Sequence, residues 1–341
     1  MPGMFLNFPF DEELFLYQWQ NAQDPVLTAM LNSGAVQSND TIKRLIQNGS
    51  DTYTIPFYNV IGGDDENYDG KTDITLTDVD AAYQSGIVYG RAHGWKERDF
   101  VVDYNSGADP MKQITSQVNQ YWVKKKQKRL IGIADALFGI TNSAGWKLHT
   151  TDLTAADTDI SNKGGNVAAT TISEAIQKAV GDHADQFSLA VMHSKVATNL
   201  AGLDLLEYRK YTDPSGIQRL LRIADINGMT VIIDDGVPTT TKTDNADATF
   251  TTYLFGIGAF QTAPANCEKP SEITRNPTEG GGYNALITRV RETIHPNGFT
   301  FTKPKTGYTS SPTDAQLGTT GNWSIAVDPK TIAMARIISK G

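Results

Sequence analysis

The spacing of apolar and polar positions changes several times along this chain, and each change marks a different kind of element. The first 50 residues carry only short apolar clusters, Met4 to Phe8, Leu14 to Trp19 and Val26 to Leu31, broken by Pro9, Pro25 and polar runs. A segment of that kind buries little against itself and reads as an arm that packs on some other surface. TIKRLIQNGS at 41–50 predicts a short helix closed by Gly49. From 53 to 104 the chain reads as extended. TYTIPFYNVI is rich in β-formers, and ITLTDVD alternates apolar with polar. The acidic, turn-rich GGDDENYDGKTD lies between them, so the pattern predicts a long hairpin with a polar tip. Two strands alone are marginal in water, which requires a partner surface.

A helical period follows. Asp109 is a good N-cap and Pro110 fits the first helical position. Ile114, Val118, Tyr121 or Trp122, Arg129, Ile133 and Leu137 then recur at three- and four-residue spacing. Pro110 to Phe138 predicts one helix of roughly 43 Å, with Gly139 as its stop. TNSAGWKLHTTDLTAADTDISNKGGN at 141–166 reads as a polar loop, and a second helix is predicted from Thr170 to Val180 with Ile172, Ile176, Ala179 and Val180 on one face. FSLAVMHS reads as a buried strand, KVATNLAGLDLLEY as a helix, and MTVIIDDGVP as a strand turning at Gly236. TTYLFGIGAFQTA and NALITRVRETI predict one strand each, followed by GFTFTKP and the closing TIAMARIIS. Helices and strands mix without regular βαβ alternation, which favours α+β over a doubly wound sheet.

Composition narrows the function classes. At 341 residues the chain has room for roughly two domains, at about 150 residues each. With 39% hydrophobic residues it has enough apolar material for a packed core. No apolar run is long enough to span a membrane, and the N-terminus shows no secretory signal pattern. The single Cys267 excludes an internal disulfide and a cysteine-rich zinc site. A net charge of −8 argues against a nucleic-acid binder held by overall charge.

Candidate chemistry is sparse. Asp65, Asn67, Asp69 and Gly70 match the start of a calcium loop, but Leu76 stands where its bidentate Glu belongs. They form an incomplete cation site or, more plainly, an acidic hairpin tip. Lys124, Lys125, Lys126, Lys128 and Arg129 form a basic run that spreads around its helix, as a solvated face or a phosphate-contacting one. The five histidines, His93, His149, His183, His193 and His295, show no ligand spacing. His193 reads as the end of a strand entering a helix, Gly280–Gly282 as a loop, and Cys267 as a spectator thiol. No nucleophile elbow, P-loop or dinucleotide fingerprint is present, so neither catalysis nor a cofactor is expected.

Several segments, in order, resemble the major capsid proteins of tailed bacteriophages. They are SGADPMKQITSQVNQYWVKKKQKRLIGIADALFG, AVMHSKVATNLAGLDLLEY with ADINGMTVIIDDGVP, ITRVRETIHPNGFTF and NWSIAVDPKTIAMARIIS. The resemblance implies the α+β Hong Kong 97-type capsid fold. Its parts would be an N-terminal arm at 1–52, an extended hairpin loop at 53–104, and a peripheral domain at 105–164 built on a spine helix. An axial domain at 165–262 and return strands at 263–341 would complete it. The implied function is a shell subunit that self-assembles into the hexamers and pentamers of an icosahedral phage head around double-stranded DNA. Phe5, Phe8 and Phe10 of the arm and Ile55, Phe57 and Tyr58 of the loop would then contact neighbouring subunits. Lys124, Lys125, Lys128 and Arg129 would face DNA on the inner surface. A separate scaffolding protein, a portal and a decoration protein would be partners, with assembly in the host cytoplasm and no membrane. Lys71 lies in the loop, but no matching Asn acceptor is found, so cross-linking is not expected. The alternatives are an encapsulin-type cellular compartment with the same fold, and a calcium-dependent binding module.

Overall fold

The computed structural model describes residues 4–5, 8–9, 33–47, 49–58, 65–71, 76, 81–99, 110–154, 165–168, 170–212, 218–226, 228–240 and 248–341. In the N-terminal stretch, β1 (Met4–Phe5) pairs with β2 (Phe8–Pro9), and β3 (Val36–Ser38) leads into α1 (Asp40–Ile46). Asn39 caps α1, its Oδ1 accepting from the Thr41 and Ile42 amides at 2.8 and 3.1 Å. Next come β4 (Thr52–Tyr58), β5 (Ala81–Ile87) and β6 (Tyr89–Arg98), then α2 (Pro110–Phe138). The expected long helix is therefore present, while its expected cap Asp109 lies outside the described residues.

The stretch expected to be a polar loop after α2 holds α3 (Ala144–Lys147) and β7 (Thr150–Asp152). The reason is burial. Trp146 packs in the core beside Phe138 and His149, and its indole N–H donates to the Leu137 carbonyl at 2.9 Å. The elements that follow are α4 (Thr171–Val180), β8 (Phe187–Met192), α5 (Ser194–Gly202), β9 (Glu207–Thr212), β10 (Gln218–Ile226), β11 (Met229–Ile233) and β12 (Thr239–Thr240). The predicted helix after His193 stops early because the chain turns at Gly202–Asp204, where Asp204 takes a left-handed φ of 55°, and then enters β9.

The chain closes with β13 (Thr249–Gly256), β14 (Phe260–Pro264), β15 (Ser271–Asn276), β16 (Tyr283–Pro296), β17 (Phe299–Phe301), α6 (Asp314–Leu317), β18 (Trp323–Ile325) and β19 (Met334–Ser339). The segment expected to be one strand across 251–263 is split into β13 and β14 by a turn at Ile257–Gly258.

Eight strands form a mixed sheet in the order β7-β19-β13-β8-β11-β10-β9, with β12 beside β13. Alternation gives it two buried faces. Leu189, Val191, Tyr253, Phe255 and Met334 pack toward the C-terminal half of α2. Ala190, Met192, Leu254, Ala335 and Ile337 pack toward α4 and α5. The closing strand β19 thus joins this larger sheet. A five-stranded sheet is built around β16, which pairs with β15, β14 and β6, while β3 adds to β14. Strand β6, inside the stretch read as loop, therefore belongs to this sheet.

Candidate assembly surfaces and the exposed helix face

The hairpin is formed by β4 and β5, in register from Thr52 opposite Ile87 to Tyr58 opposite Ala81. The predicted returning strand ITLTDVD is not the partner. Leu76 is exposed outside any strand, and the other residues of that segment lie outside the described set.

Polar locks hold the root of the hairpin. Tyr53 is buried with Ile42, Ile46, Val88 and Ala263. Thr293 Oγ1 donates to the Ile87 carbonyl at 2.7 Å, so it accepts from the Tyr53 hydroxyl at 2.8 Å. Burial pushes that phenol well above its ordinary pKa. Across the ribbon, Gln84 Oε1 accepts from the Gly298 amide and from His295 Nε2, each at 3.0 Å. His295 is consequently protonated on Nε2, and burial pulls its pKa down to about 4. Lys303 pairs with Asp51 at 2.7 Å and Tyr308 donates to the same carboxylate at 3.1 Å, so Asp51 sits below its ordinary pKa.

Beyond the root the ribbon is open. Tyr58 is 78% exposed and Tyr83 64%, while Ile55 and Phe57 are half-buried. At the tip, the Lys71 amide donates to Asp69 Oδ1 at 2.8 Å and the Asp69 amide to the Asn67 carbonyl at 3.1 Å. These bonds make the tip an Asx-type turn. Among the described residues no group of three acidic, histidine or cysteine side chains gathers around Asp65, Asn67 and Asp69. Near the N-terminus, the backbones of Phe5 and Phe8 face each other across β1 and β2; Phe10 lies outside the described residues.

The basic run on α2 divides between two environments. Lys124, Lys125 and Lys128 are exposed. Arg129 is not. Its side chain is 4% exposed, with Nε 2.9 Å from Asp314 and Nη1 3.6 Å from Glu292. It follows Trp122 by seven residues, two helical turns, and so falls on the packed side. Its expected place on a DNA-facing surface is therefore corrected. Lys126 is drawn to the same site, 2.9 Å from Glu292. Tyr89 donates to Glu292 at 2.9 Å, and Arg91 reaches Asp314 at 2.6 Å. Partial burial works against the Asp314 carboxylate, but hydrogen bonds from Arg129 and Arg91 prevail and hold its pKa down.

Sequence reading missed this cluster because its members are far apart in the chain, on β6, α2, β16 and α6. It also missed the aromatic group beside the exposed lysines. His93 stacks on Tyr121 with centroids 5.0 Å apart, and Trp95 meets both edge-on. The Tyr121-Trp122 pair preceding the lysines was the available signal, but only the register of the helix separates them. Trp122 turns inward to donate to Thr288 Oγ1 at 3.1 Å.

The remaining residues singled out from sequence take structural places. His193 caps α5, its Nδ1 accepting from the Lys195 amide at 3.0 Å. Gly280, Gly281 and Gly282 all have positive φ, a run that only glycine adopts without strain, and they lead directly into β16. Cys267 is a half-buried free thiol. Among the described residues no helix is long and apolar enough to cross a membrane.

Residues 147–333 match the family described as Gp13-like, Major capsid protein 13-like. The chain is similar to the major capsid protein of Bacillus phage SPP1, at 30% identity over 313 residues, covering 91% of this chain and 90% of that one. Its structure resembles the capsid of Ralstonia phage GP4, with a TM-score of 0.54 at 9% identity, over 89% and 87% of the two chains. It also resembles the capsid of Helicobacter pylori bacteriophage KHP30, with a TM-score of 0.51 at 11% identity, over 93% and 92%. These likenesses identify the fold as the α+β Hong Kong 97-type capsid fold.

Proposed function

This chain belongs to the Gp13-like family of phage major capsid proteins, and from that premise we propose that it assembles as hexamers and pentamers into an icosahedral shell enclosing double-stranded DNA. Membership of a structural capsid family also accounts for a chain in which no catalytic motif was found. The encapsulin alternative shares the fold, and the family match favours the phage protein. The calcium-dependent module has no observation in its favour at the hairpin tip.

The observation that carries the assembly reading is the hairpin. Its root is fixed to the core by Tyr53, Gln84 and Asp51, while its outer part presents Tyr58 and Tyr83 to solvent. A ribbon held rigidly but left uncovered is suited to lie on a neighbouring subunit, where burial of the two tyrosines and strand-edge pairing supply the contact. Ile55, Phe57 and Tyr58 are the contact residues of the loop in this reading, with Phe5, Phe8 and Phe10 contributing from the arm. Many weak contacts of this kind close a shell through effective concentration. Lys124, Lys125 and Lys128 face the packaged DNA, contacting phosphates without regard to sequence. A scaffolding protein, a portal and a decoration protein complete the partner set, and assembly takes place in the host cytoplasm before the protein resides in the virion.

Electron microscopy and sedimentation of the purified chain, alone and with a co-expressed scaffold, test this reading. Closed shells, or rings of five and six subunits, are expected. A folded chain that stays monomeric in both settings would overturn it.

A further inference from the structure

Strand β6 and the exposed face of α2 meet in a groove of about 270 Å³, lined by Trp95, Gln117, Val118, Gln120, Tyr121 and Lys124. We propose that this groove binds unpaired nucleic acid, stacking a base on its aromatic cluster and laying the adjoining phosphates along the lysines. The inference rests on the reading that this helix face meets nucleic acid, and it adds base contact and a preference for single strands.

The aromatic cluster reaches the surface: His93 is exposed, and Trp95 and Tyr121 are half-buried. His93 is exposed and stacked on Tyr121 at 5.0 Å, with Trp95 edge-on at 4.8 and 5.3 Å. Neither Trp95 nor Tyr121 belongs to the apolar clusters that hold the two large sheets. A flat stack with a solvent-facing member is a platform on which a further planar ring can be added.

Charge points the same way. Lys124 lines the groove, Lys125 Nζ lies 5.4 Å from the Tyr121 ring centroid, and Lys128 is one turn beyond Lys124. Among the described residues none of these three ammonium groups forms an ion pair, whereas Lys126 and Arg129 of the same run pair with Glu292. The groove lining includes no carboxylate among the described residues, and Glu97, farther along the same strand face, is buried. The volume lies below the roughly 300–1,000 Å³ of small-molecule pockets, which suits one flat ring better than a whole cofactor. A basic track with stacking aromatics is how proteins hold single strands, whereas a duplex hides its bases and leaves such rings unused.

The test is a salt titration of the full-length protein with labelled oligo-dT and with duplex DNA of equal length, following tryptophan fluorescence. Single strands are expected to bind roughly tenfold tighter and to quench tryptophan. Tyr121→Leu and, separately, the exposed His93→Ala should lower single-strand affinity severalfold to tenfold while leaving duplex binding unchanged. Lys124→Gln combined with Lys125→Gln should weaken both and flatten the salt dependence. Equal affinity for the two forms, with Tyr121→Leu and His93→Ala indifferent, would overturn the base contact and leave the phosphate reading standing. Absence of salt-dependent binding to either would overturn both.

Discussion

The guanidinium of Arg129 lies over the ring of Tyr89, 4.5 Å from its centroid, and both side chains reach the same Glu292 carboxylate. This pair joins the long helix to β6 and β16, and Asp314 extends the connection to the C-terminal segment. Removing the cation would leave the largely buried Glu292 carboxylate and the more exposed Asp314 carboxylate each with one partner fewer. Arg129→Ala is therefore expected to destabilise the subunit by about 3 kcal/mol. Arg129→Lys should recover only part of that, because an ammonium cannot span both carboxylates as the planar fork does. Thermal unfolding of the two variants beside the wild type checks the order.

Gly86 faces Tyr53 across the hairpin root, and an added Cβ would collide with the Tyr53 ring. Gly86→Ala is expected to cost about 1–3 kcal/mol by forcing that ring off its seat. Tyr53→Phe keeps the packing but removes one buried hydrogen bond, at a cost of about 1 kcal/mol. Hydrogen exchange at Thr52–Tyr58 should rise more for Gly86→Ala than for Tyr53→Phe.

Acid should loosen the same root. His295 is held neutral in the fold, with a pKa of about 4 against an ordinary value of about 6.5. The unfolded chain therefore binds the extra proton first. Its contribution to stability is intact above about pH 6.5 and is lost progressively as pH falls toward 4. His149, lowered by burial, adds in the same direction. Asp51 and Asp314, both depressed, lose their contributions at still lower pH. Denaturation midpoints between pH 7 and pH 4 should fall less steeply for His295→Gln than for the wild type, since glutamine keeps a donor toward Gln84 without titrating.

Tyr58→Ser combined with Tyr83→Ser should leave subunit stability within about 0.5 kcal/mol, because both side chains are largely exposed. If the ribbon covers a neighbour, shell yield should nevertheless fall at least roughly tenfold. Unchanged yield by sedimentation would remove the hairpin from the assembly contacts.

Neutralising Lys128 should act on DNA and not on the fold. Lys128→Gln is expected to lower the slope of log affinity against log salt by about 0.9, the value of one phosphate contact. Arg129→Gln should instead register as lost stability.

Much of the fold was legible because local patterns carry it. The helix at Pro110–Phe138, the amphipathic α4, the buried strand β8 and the passage from strand to helix at His193 each follow from residues within a few positions of one another. The misreadings share one cause. α3 and β7 form because Trp146 and His149 find partners far along the chain, Trp146 meeting the Phe299 ring edge-on at 5.1 Å and the His149 Nδ1–H donating to the Met334 carbonyl 185 residues away at 2.6 Å. Nothing within 141–166 announces those partners.

Local sequence carried the class of elements, the long helix, the presence of a hairpin and, through residues spread over 106–339, the family. Tertiary structure decided which hairpin strand pairs with which and which cations remain outside. Arg129 shows why. It belongs both to the apolar recurrence of its helix and to the run KKKQKR, and sequence spacing supports either role. Only the arrival of Glu292 and Asp314 from distant segments made burial of its charge tolerable, and that left Lys124, Lys125 and Lys128 as the exposed face.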